Sequence, residues 1–206
     1  MRRIGVELRN LSLLTVGSAY PRLTLADVNT VRIGGEVVIP GSSLKGALRT
    51  AAHRAAGRLG LTSCGQVEPG MISKAHEAMG RVCDVCELFG MPGAAGSSSS
   101  KLFVSNLRPK LDISTITVTR VSLDPARGKA REGGLFTVEA IPPCTLFEGE
   151  ITLLSDDGKH LKLLLAALDE LASGSFGRGA IVEVRVSDVP LQEFKHLESW
   201  RWDVCP

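Results

Sequence analysis

SLKGALRTAAHRAAGRL, residues 43–59, is the stretch with the clearest structural pattern in the chain. Its apolar residues recur at steps of three and four, the spacing of one helix face. They are Leu44, Ala47, Leu48, Ala51, Ala52, Ala55, Ala56 and Leu59. The pattern predicts an amphipathic helix over 43–59. Pro40-Gly41-Ser42-Ser43 precedes it and supplies a turn and an N-cap hydroxyl.

The other regular elements lie on both sides of this helix. Alternating polar and apolar residues predict a strand over 3–9, and β-prone runs predict strands over 101–107 and 146–154. Leucines at helical spacing predict a second helix over 160–172, and a final strand begins at Ile181. The order strand, helix, strand, strand, helix, strand predicts an α+β fold with a modified ferredoxin-like (RRM-like) βαββαβ core.

Two long segments fall outside that core. Residues 60–100 contain a Cys-x-x-Cys pair and end in a Gly/Ser-rich stretch, 93–100, that predicts flexibility. Residues 108–143 contain two β-prone runs around a basic, glycine-bearing tip, which predicts a protruding hairpin. We interpret the chain as a single domain, 1–206, with two functional insertions at 60–100 and 108–143.

Composition excludes several classes of protein. No apolar run reaches the 18 or so residues of a membrane-spanning helix, and the charged N-terminus is unlike a signal peptide. These features predict a cytoplasmic protein without a membrane partner. The net charge of +2 neither requires nor excludes a nucleic acid. Aromatic residues make up only 4%, which disfavours RNA binding mainly by base stacking.

A basic stripe follows the first helix. Lys45, Arg49 and His53 recur every four residues and therefore share one face. Ser42, Ser43 and the free N–H groups at the helix start add a cradle for phosphate. On spacing alone, an ordinary solvated helix face explains the same pattern.

Two other segments are candidates for nucleic-acid contact. Arg120, Arg127, Lys129 and Arg131 lie at or near the proposed hairpin tip, where they could lie across a nucleic-acid backbone. Residues 174–179, GSFGRG, place Gly177, Arg178 and Gly179 directly after the second helix, where backbone N–H groups could contact phosphate. A soluble hairpin and a simple turn remain the alternatives.

The five cysteines are poor evidence for a disulfide framework in a cytosolic chain. Four residues instead form a Cys-x11-His-x6-Cys-x2-Cys series, which predicts a structural Zn²⁺ site. The ligands would be Cys64, His76, Cys83 and Cys86. His53 or His160 could replace His76, and the thiols could alternatively just fill the core.

Four motifs in order resemble the RAMP superfamily, the RNA-binding proteins of CRISPR systems. Residues 38–49, VIPGSSLKGALR, resemble its signature helix start, and residues 83–90, CDVCELFG, resemble the cysteine motif of the backbone subunit in type III complexes. Residues 120–139 resemble the thumb hairpin of that subunit, and residues 174–179 resemble its glycine-rich loop.

The resemblance implies a subunit that stacks with copies of itself along a CRISPR RNA, beside other type III CRISPR subunits. Each thumb interrupts the duplex of guide and complementary target RNA. The target is then cut there, with Mg²⁺ or Mn²⁺, by attack of its own 2′-hydroxyl on the adjacent phosphate. The attack leaves a cyclic phosphate on one product and a 5′-hydroxyl on the other. Asp27 falls where the family has its catalytic aspartate, and either proton acceptance or metal binding stays open as its role. By itself, a loop aspartate is usually a solvated turn residue.

This sequence departs from the family pattern at two positions: Asn29 replaces a proline, and Ile33 stands where an acid is common. The leading hypothesis is a backbone subunit that cleaves target RNA. A non-catalytic filament or capping subunit of a type III or type IV-like complex is the alternative. A guide-processing ribonuclease is less favoured, because residues 10–40 lack the histidine that such relatives place in the first loop.

Overall fold

A computed structural model of the chain describes residues 1–18, 26–91 and 99–205. The Gly/Ser-rich stretch predicted to be flexible falls almost wholly on 92–98, outside the described residues. The elements in chain order are β1 (Arg2–Asn10), β2 (Arg32–Ile33), β3 (Glu36–Val37), α1 (Gly41–Ala55), a 3₁₀ turn (Ala56–Leu59), α2 (Pro69–Met79), α3 (Asp84–Phe89), β4 (Leu102–Val104), β5 (Arg108–Pro109), β6 (Ile116–Asp124), β7 (Lys129–Ala140), β8 (Leu146–Leu153), α4 (Gly158–Ala172), β9 (Val182–Ser187) and a second 3₁₀ segment (Gln192–Glu198).

The main sheet contains β4, β8, β1 and β9 in that order, and every neighbouring pair runs antiparallel. The short β5 also pairs with β8. Helices α1 and α4 pack on each other and on one face of the sheet, where Ile4, Val6 and Leu8 of β1 are buried. The α+β class predicted from the sequence is confirmed, and each of the six predicted elements has an observed counterpart in the predicted order.

The start of α1 differs from the prediction. The helix begins at Gly41 rather than Ser43, its N-cap is Pro40, and no side chain of its own caps it. Asn106 replaces the expected serine hydroxyl, since its Oδ1 accepts a hydrogen bond of 2.9 Å from the Gly41 N–H. A Cβ on Gly41 would lie 2.1 Å from the Val104 carbonyl oxygen. Glycine is therefore required where α1 meets the end of β4.

Strands β6 and β7 form a separate antiparallel hairpin, as the sequence predicted for 108–143. Its root is tied to the body of the protein by backbone hydrogen bonds. The Val28 N–H donates to the Thr137 carbonyl at 3.1 Å, and the Glu139 N–H donates to the Val28 carbonyl at 2.8 Å. The hairpin is therefore fixed at one end, while β6 is largely exposed along its length.

Two cysteines pair, contrary to the sequence-based expectation. Cys144, which follows β7, forms a disulfide with Cys205 near the C-terminus. A link closing a 61-residue separation stabilises a chain by about 4 kcal/mol in the loop-entropy treatment. Neither position shows a motif spacing in the sequence, and only the fold brings them together. Among the described residues, no helix is long and apolar enough to cross a membrane.

Candidate functional site

A cleft of about 410 Å³ lies where three segments of the chain meet. One wall is the first part of α1, with Ser43 and Ala47, and another is the glycine-rich loop 176–178. Residues 15–17, which follow β1, complete the lining. The structure thus brings together two segments that the sequence proposed independently for phosphate contact, and adds a third.

The glycine-rich loop is held against residues 15–17 by its backbone. Gly177 has φ of +58°, and a Cβ there would lie 2.5 Å from the Thr15 carbonyl oxygen. That oxygen accepts a hydrogen bond of 3.1 Å from the Arg178 N–H. Only glycine satisfies both the backbone conformation and the close approach. Gly179 is also in the left-handed region, but it faces open space.

The electrostatic potential in the cleft favours binding of an anion. Ser43 is the third residue of α1, a 15-residue helix whose first turn holds no acidic residue. The positive end of the helix dipole therefore acts on the cleft without a local counter-charge. The Arg178 side chain is exposed, and no carboxylate among the described residues forms an ion pair with it. Ser42 is exposed beside the cleft but does not line it.

The basic stripe of α1 faces the insertion at 60–100 and not the cleft. Lys45 Nζ donates to the Ser100 hydroxyl at 2.5 Å and to the Leu102 carbonyl at 3.0 Å. Arg49 and His53, one and two turns later, also contact the insertion: His53 Nδ1 lies 2.7 Å from the Ser63 hydroxyl. The three side chains therefore fix the end, the middle and the start of the insertion.

Burial affects the chemistry of the same stripe. Desolvation, followed by the neighbouring Arg49 charge, lowers the pKa of Lys45 below its ordinary value. The same two causes lower the pKa of His53. Lys45 and Arg49 are both only half-exposed. Lys45 Nζ and the Nη1 and Nη2 of Arg49 have acceptors inside the protein, an arrangement that the four-residue spacing alone does not reveal.

The insertion carries a four-residue cluster with the chemistry of a metal site. The ligand atoms of Cys64, His76, Cys83 and Cys86 all lie within 4.8 Å of one another. The Sγ atoms of Cys64 and Cys86 are 3.7 Å apart, close to the S···S separation of about 3.8 Å in a tetrahedral zinc site. Sequence spacing alone thus predicted a set of residues that the fold does bring together.

His76 is the best evidence that the cluster holds a metal. Both of its ring nitrogens are buried without a hydrogen-bond partner among the described residues. A buried imidazole normally has a partner, and coordination of a metal ion by His76 would supply one. The alternatives His53 and His160 lie outside the cluster: His160 Nδ1 is 2.7 Å from the Ser155 hydroxyl. The donor set fits a metal ion.

The cluster is anchored to the second helix of the core. Glu87 of α3 accepts hydrogen bonds from Lys101 at 2.6 Å and from Lys159 of α4 at 2.8 Å. These bonds lower the pKa of Glu87 to about 2. Lys159 also contacts Asp84. The short α3 is thereby held between α1 on one side and the start of α4 on the other.

Asp27 lies at the root of the hairpin. Its Oδ2 accepts hydrogen bonds from the Thr137 N–H at 2.6 Å and from the Thr137 hydroxyl at 2.8 Å. These bonds, the backbone one first, hold the pKa of Asp27 below its ordinary value. The side chain is exposed. The carboxylate is therefore ionised at neutral pH, oriented by β7 and open to a ligand.

The surroundings of Asp27 do not by themselves make a divalent-cation site. Within 1–18, 26–91 and 99–205, the one group of three or more potential ligands is the Cys₃His cluster. Mg²⁺ and Mn²⁺ prefer several oxygen ligands, and Asp27 supplies a single carboxylate. Mg²⁺ is commonly held by one or two carboxylates together with water and substrate phosphates, so Asp27 could supply one ligand to such an ion. The catalytic metal stays a prediction.

The four hairpin cations are exposed, away from the cleft and the cluster. Arg120 belongs to β6, Arg127 to the turn, and Lys129 and Arg131 to β7. Asp124 lies 3.9 Å from Arg127, whose side chain is 82% exposed. A weak contact of this kind leaves the charge available to a partner.

Three contributing residues had no signal in the sequence. Thr15 connects the glycine-rich loop to the hairpin root, because its hydroxyl donates to the Glu139 carbonyl at 2.9 Å. Gly17 lines the cleft, and Thr137 orients Asp27. Each acts through the tertiary pairing of distant segments, which no spacing rule captures.

Comparisons with known proteins agree with this architecture. A search of curated proteins found no match. One chain of a solved Type IV-B CRISPR complex is similar in fold, with a TM-score of 0.59 and 16% sequence identity, over 92% of each chain. The family model of the RAMP superfamily matches residues 7–182, most of the length of the chain. The chain therefore belongs to the RAMP superfamily.

Proposed function

We propose that this protein is a backbone subunit of a CRISPR ribonucleoprotein complex and that it binds the guide RNA in the cleft between α1 and the glycine-rich loop. The observation that carries the proposal is that Ser43, Gly177 and Arg178 line one cleft. A helix N-terminus, a glycine backbone and an exposed guanidinium are groups that contact phosphates without reading sequence. Membership of the RAMP superfamily and the CRISPR neighbour support this assignment.

We propose that the core is modified ferredoxin-like, on the basis of its strand order and the placement of its helices. The four main strands, named by their order in the chain, lie in the order second, third, first, fourth, and all pairs are antiparallel. Two helices connect them on one face. This arrangement supports one RAMP domain with insertions at 60–100 and 108–143.

The hairpin is the proposed thumb. Its exposed cations would lie against the backbone of the guide and target strands, and its fixed root would set their position relative to the cleft. The partners are therefore a CRISPR RNA, a complementary target RNA, further copies of this chain and the other subunits of the complex. The type IV-B neighbour supports a type IV-like complex as well as a type III one.

We propose that the Cys₃His cluster holds Zn²⁺ as a closed structural site. Four protein ligands leave no open position for substrate, so the ion would stabilise the insertion and not act on RNA. The insertion has two short helices, and the longer of them, α2, buries only Ile72 and His76. A metal is a usual source of stability for such a segment.

A second candidate function, cleavage of the target RNA, is favoured by the position of Asp27. Its exposed carboxylate stands at the root of the proposed thumb, and Thr137 fixes its orientation. Because its pKa is low, it is a poor proton acceptor at neutral pH. It would instead accept a hydrogen bond from the target 2′-hydroxyl and orient that group toward the adjacent phosphate.

The variant Arg178→Ala tests the RNA-binding proposal. We expect it to weaken binding of single-stranded RNA about tenfold and equally for different sequences, because one phosphate contact is lost. The slope of log affinity against log salt should fall by about 0.7. Fluorescence anisotropy at several salt concentrations measures both. Arg58→Ala, an exposed arginine paired with Glu170, is the control. Unchanged affinity in Arg178→Ala would contradict the proposed site.

A further inference from the structure

Arg49 contacts the metal cluster as well as the backbone that follows it. Its Nη2 donates to Cys86 Sγ at 3.0 Å, and its Nη1 donates to the Gly90 carbonyl at 2.9 Å. One planar guanidinium thus holds both a ligand atom and the residue where α3 ends. This two-point contact depends on the fork geometry of arginine.

The charge of the cluster explains why a cation belongs there. Three thiolates and a neutral imidazole around Zn²⁺ carry one net negative charge. His76, Cys83 and Cys86 are buried, and a buried charge is costly unless it is paired. In the part of the chain that the structure describes, Arg49 is the cation whose donor lies within hydrogen-bond distance of a ligand sulfur.

Arg49 also occupies a fixed position. Its Nε is buried without a hydrogen-bond partner among the described residues, although the residue as a whole is partly exposed. Its neighbours on the same face of α1, Lys45 and His53, are held by the two ends of the insertion. The guanidinium therefore lies between α1 and α3, with two of its nitrogens bonded to the α3 segment.

We propose that Arg49 is the outer-sphere positioning residue of the metal cluster and that it binds no RNA phosphate directly. It orients the Cys86 thiolate and neutralises the excess charge of the loaded centre. It thereby joins α1 to the metal cluster. This inference rests on the proposed zinc site and is independent of the proposed RNA cleft.

The test measures zinc and RNA separately on the full chain. We expect Arg49→Gln to lower the affinity for Zn²⁺ about 10- to 100-fold in competition with a colorimetric chelator. Arg49→Lys should fall between wild type and Arg49→Gln, because one ammonium keeps the charge but cannot reach both acceptors. Arg54→Gln, on the same helix but paired with Glu170, should bind zinc as wild type does.

RNA binding distinguishes this role from the phosphate contact predicted by sequence spacing. With zinc in excess, Arg49→Gln should recover the wild-type affinity for single-stranded RNA. The proposal would be overturned if Arg49→Gln binds zinc as wild type does but still binds single-stranded RNA more weakly than wild type at saturating zinc. If Arg49→Gln does not fold, Arg49→Lys carries the same test, and zinc affinity equal to wild type refutes the inference. If wild-type protein has no affinity for zinc, both this inference and the proposed zinc site are refuted. The proposed RNA cleft is not affected by that result.

Discussion

Cys83→Ser protein should purify without zinc and with an unfolded insertion. Cys83 is fully buried in the Cys₃His cluster, and a serine hydroxyl is a poor replacement for a zinc-bound thiolate. Structural zinc contributes on the order of 10 kcal/mol to the folding of the segment that it joins. Few buried residues hold α2 to the body, so the proposed zinc ion would be its main source of stability.

Elemental analysis and limited proteolysis measure the two effects together. Wild type should hold one zinc per chain and resist cleavage within 60–91, whereas the variant should lose both properties. Cys144→Ser, compared under reducing conditions, is the matched control, because Cys144 lies outside the cluster. A metal-free wild-type protein with a protected insertion would contradict the zinc assignment.

Asp27→Asn should abolish cleavage of complementary RNA without weakening its binding. Asparagine keeps the shape of the side chain and an oxygen that accepts from Thr137, but it removes the negative charge. If Asp27 orients the 2′-hydroxyl, the rate should fall about 100-fold or more. The assay uses the protein assembled with a guide RNA, a labelled target, and magnesium or manganese.

Asp156→Asn is the matched control for the cleavage assay, because Asp156 is highly exposed and pairs only with the N-terminus among the described residues. Cleavage at regular intervals by wild type and by this control, but not by Asp27→Asn, is the expected result. Equal cleavage by Asp27→Asn would refute its role. Binding of target without cleavage by wild type would support the non-catalytic subunit instead.

Local patterns predicted the core elements well. The period of α1 and of α4, and the alternation of β1, each reflect a face that must be buried, and the structure places all three near the predicted bounds. The start of α1 was predicted wrongly because its cap comes from Asn106, which lies 65 residues away in sequence. Helix ends depend on partners that a local pattern does not include.

For the candidate sites too, local sequence patterns predicted some features, and others depend on contacts between distant segments. The proximity of Cys64, His76, Cys83 and Cys86 was predictable, because a Cys-x-x-Cys pair with two further potential ligands is typical of a zinc site. The spacing of the α1 stripe correctly places Lys45 and Arg49 on one face but does not show what that face contacts, and RNA contact by these residues stays a prediction. In the structure, that face meets backbone carbonyls and a thiol of the insertion. The Cys144–Cys205 pairing also depends on tertiary contact alone.

The most direct test of the RNA cleft is the affinity of Ser43→Glu for single-stranded RNA. A carboxylate in the cleft should repel a phosphate by about 3 kcal/mol and weaken binding about 100-fold. An acid at the third position of α1 favours the helix, so the fold should be retained. Thr50→Glu, with the same charge change at an exposed position of α1, is the control. The account predicts that Ser43→Glu binds single-stranded RNA much more weakly than Thr50→Glu does. Equal RNA affinities of the two variants would contradict it.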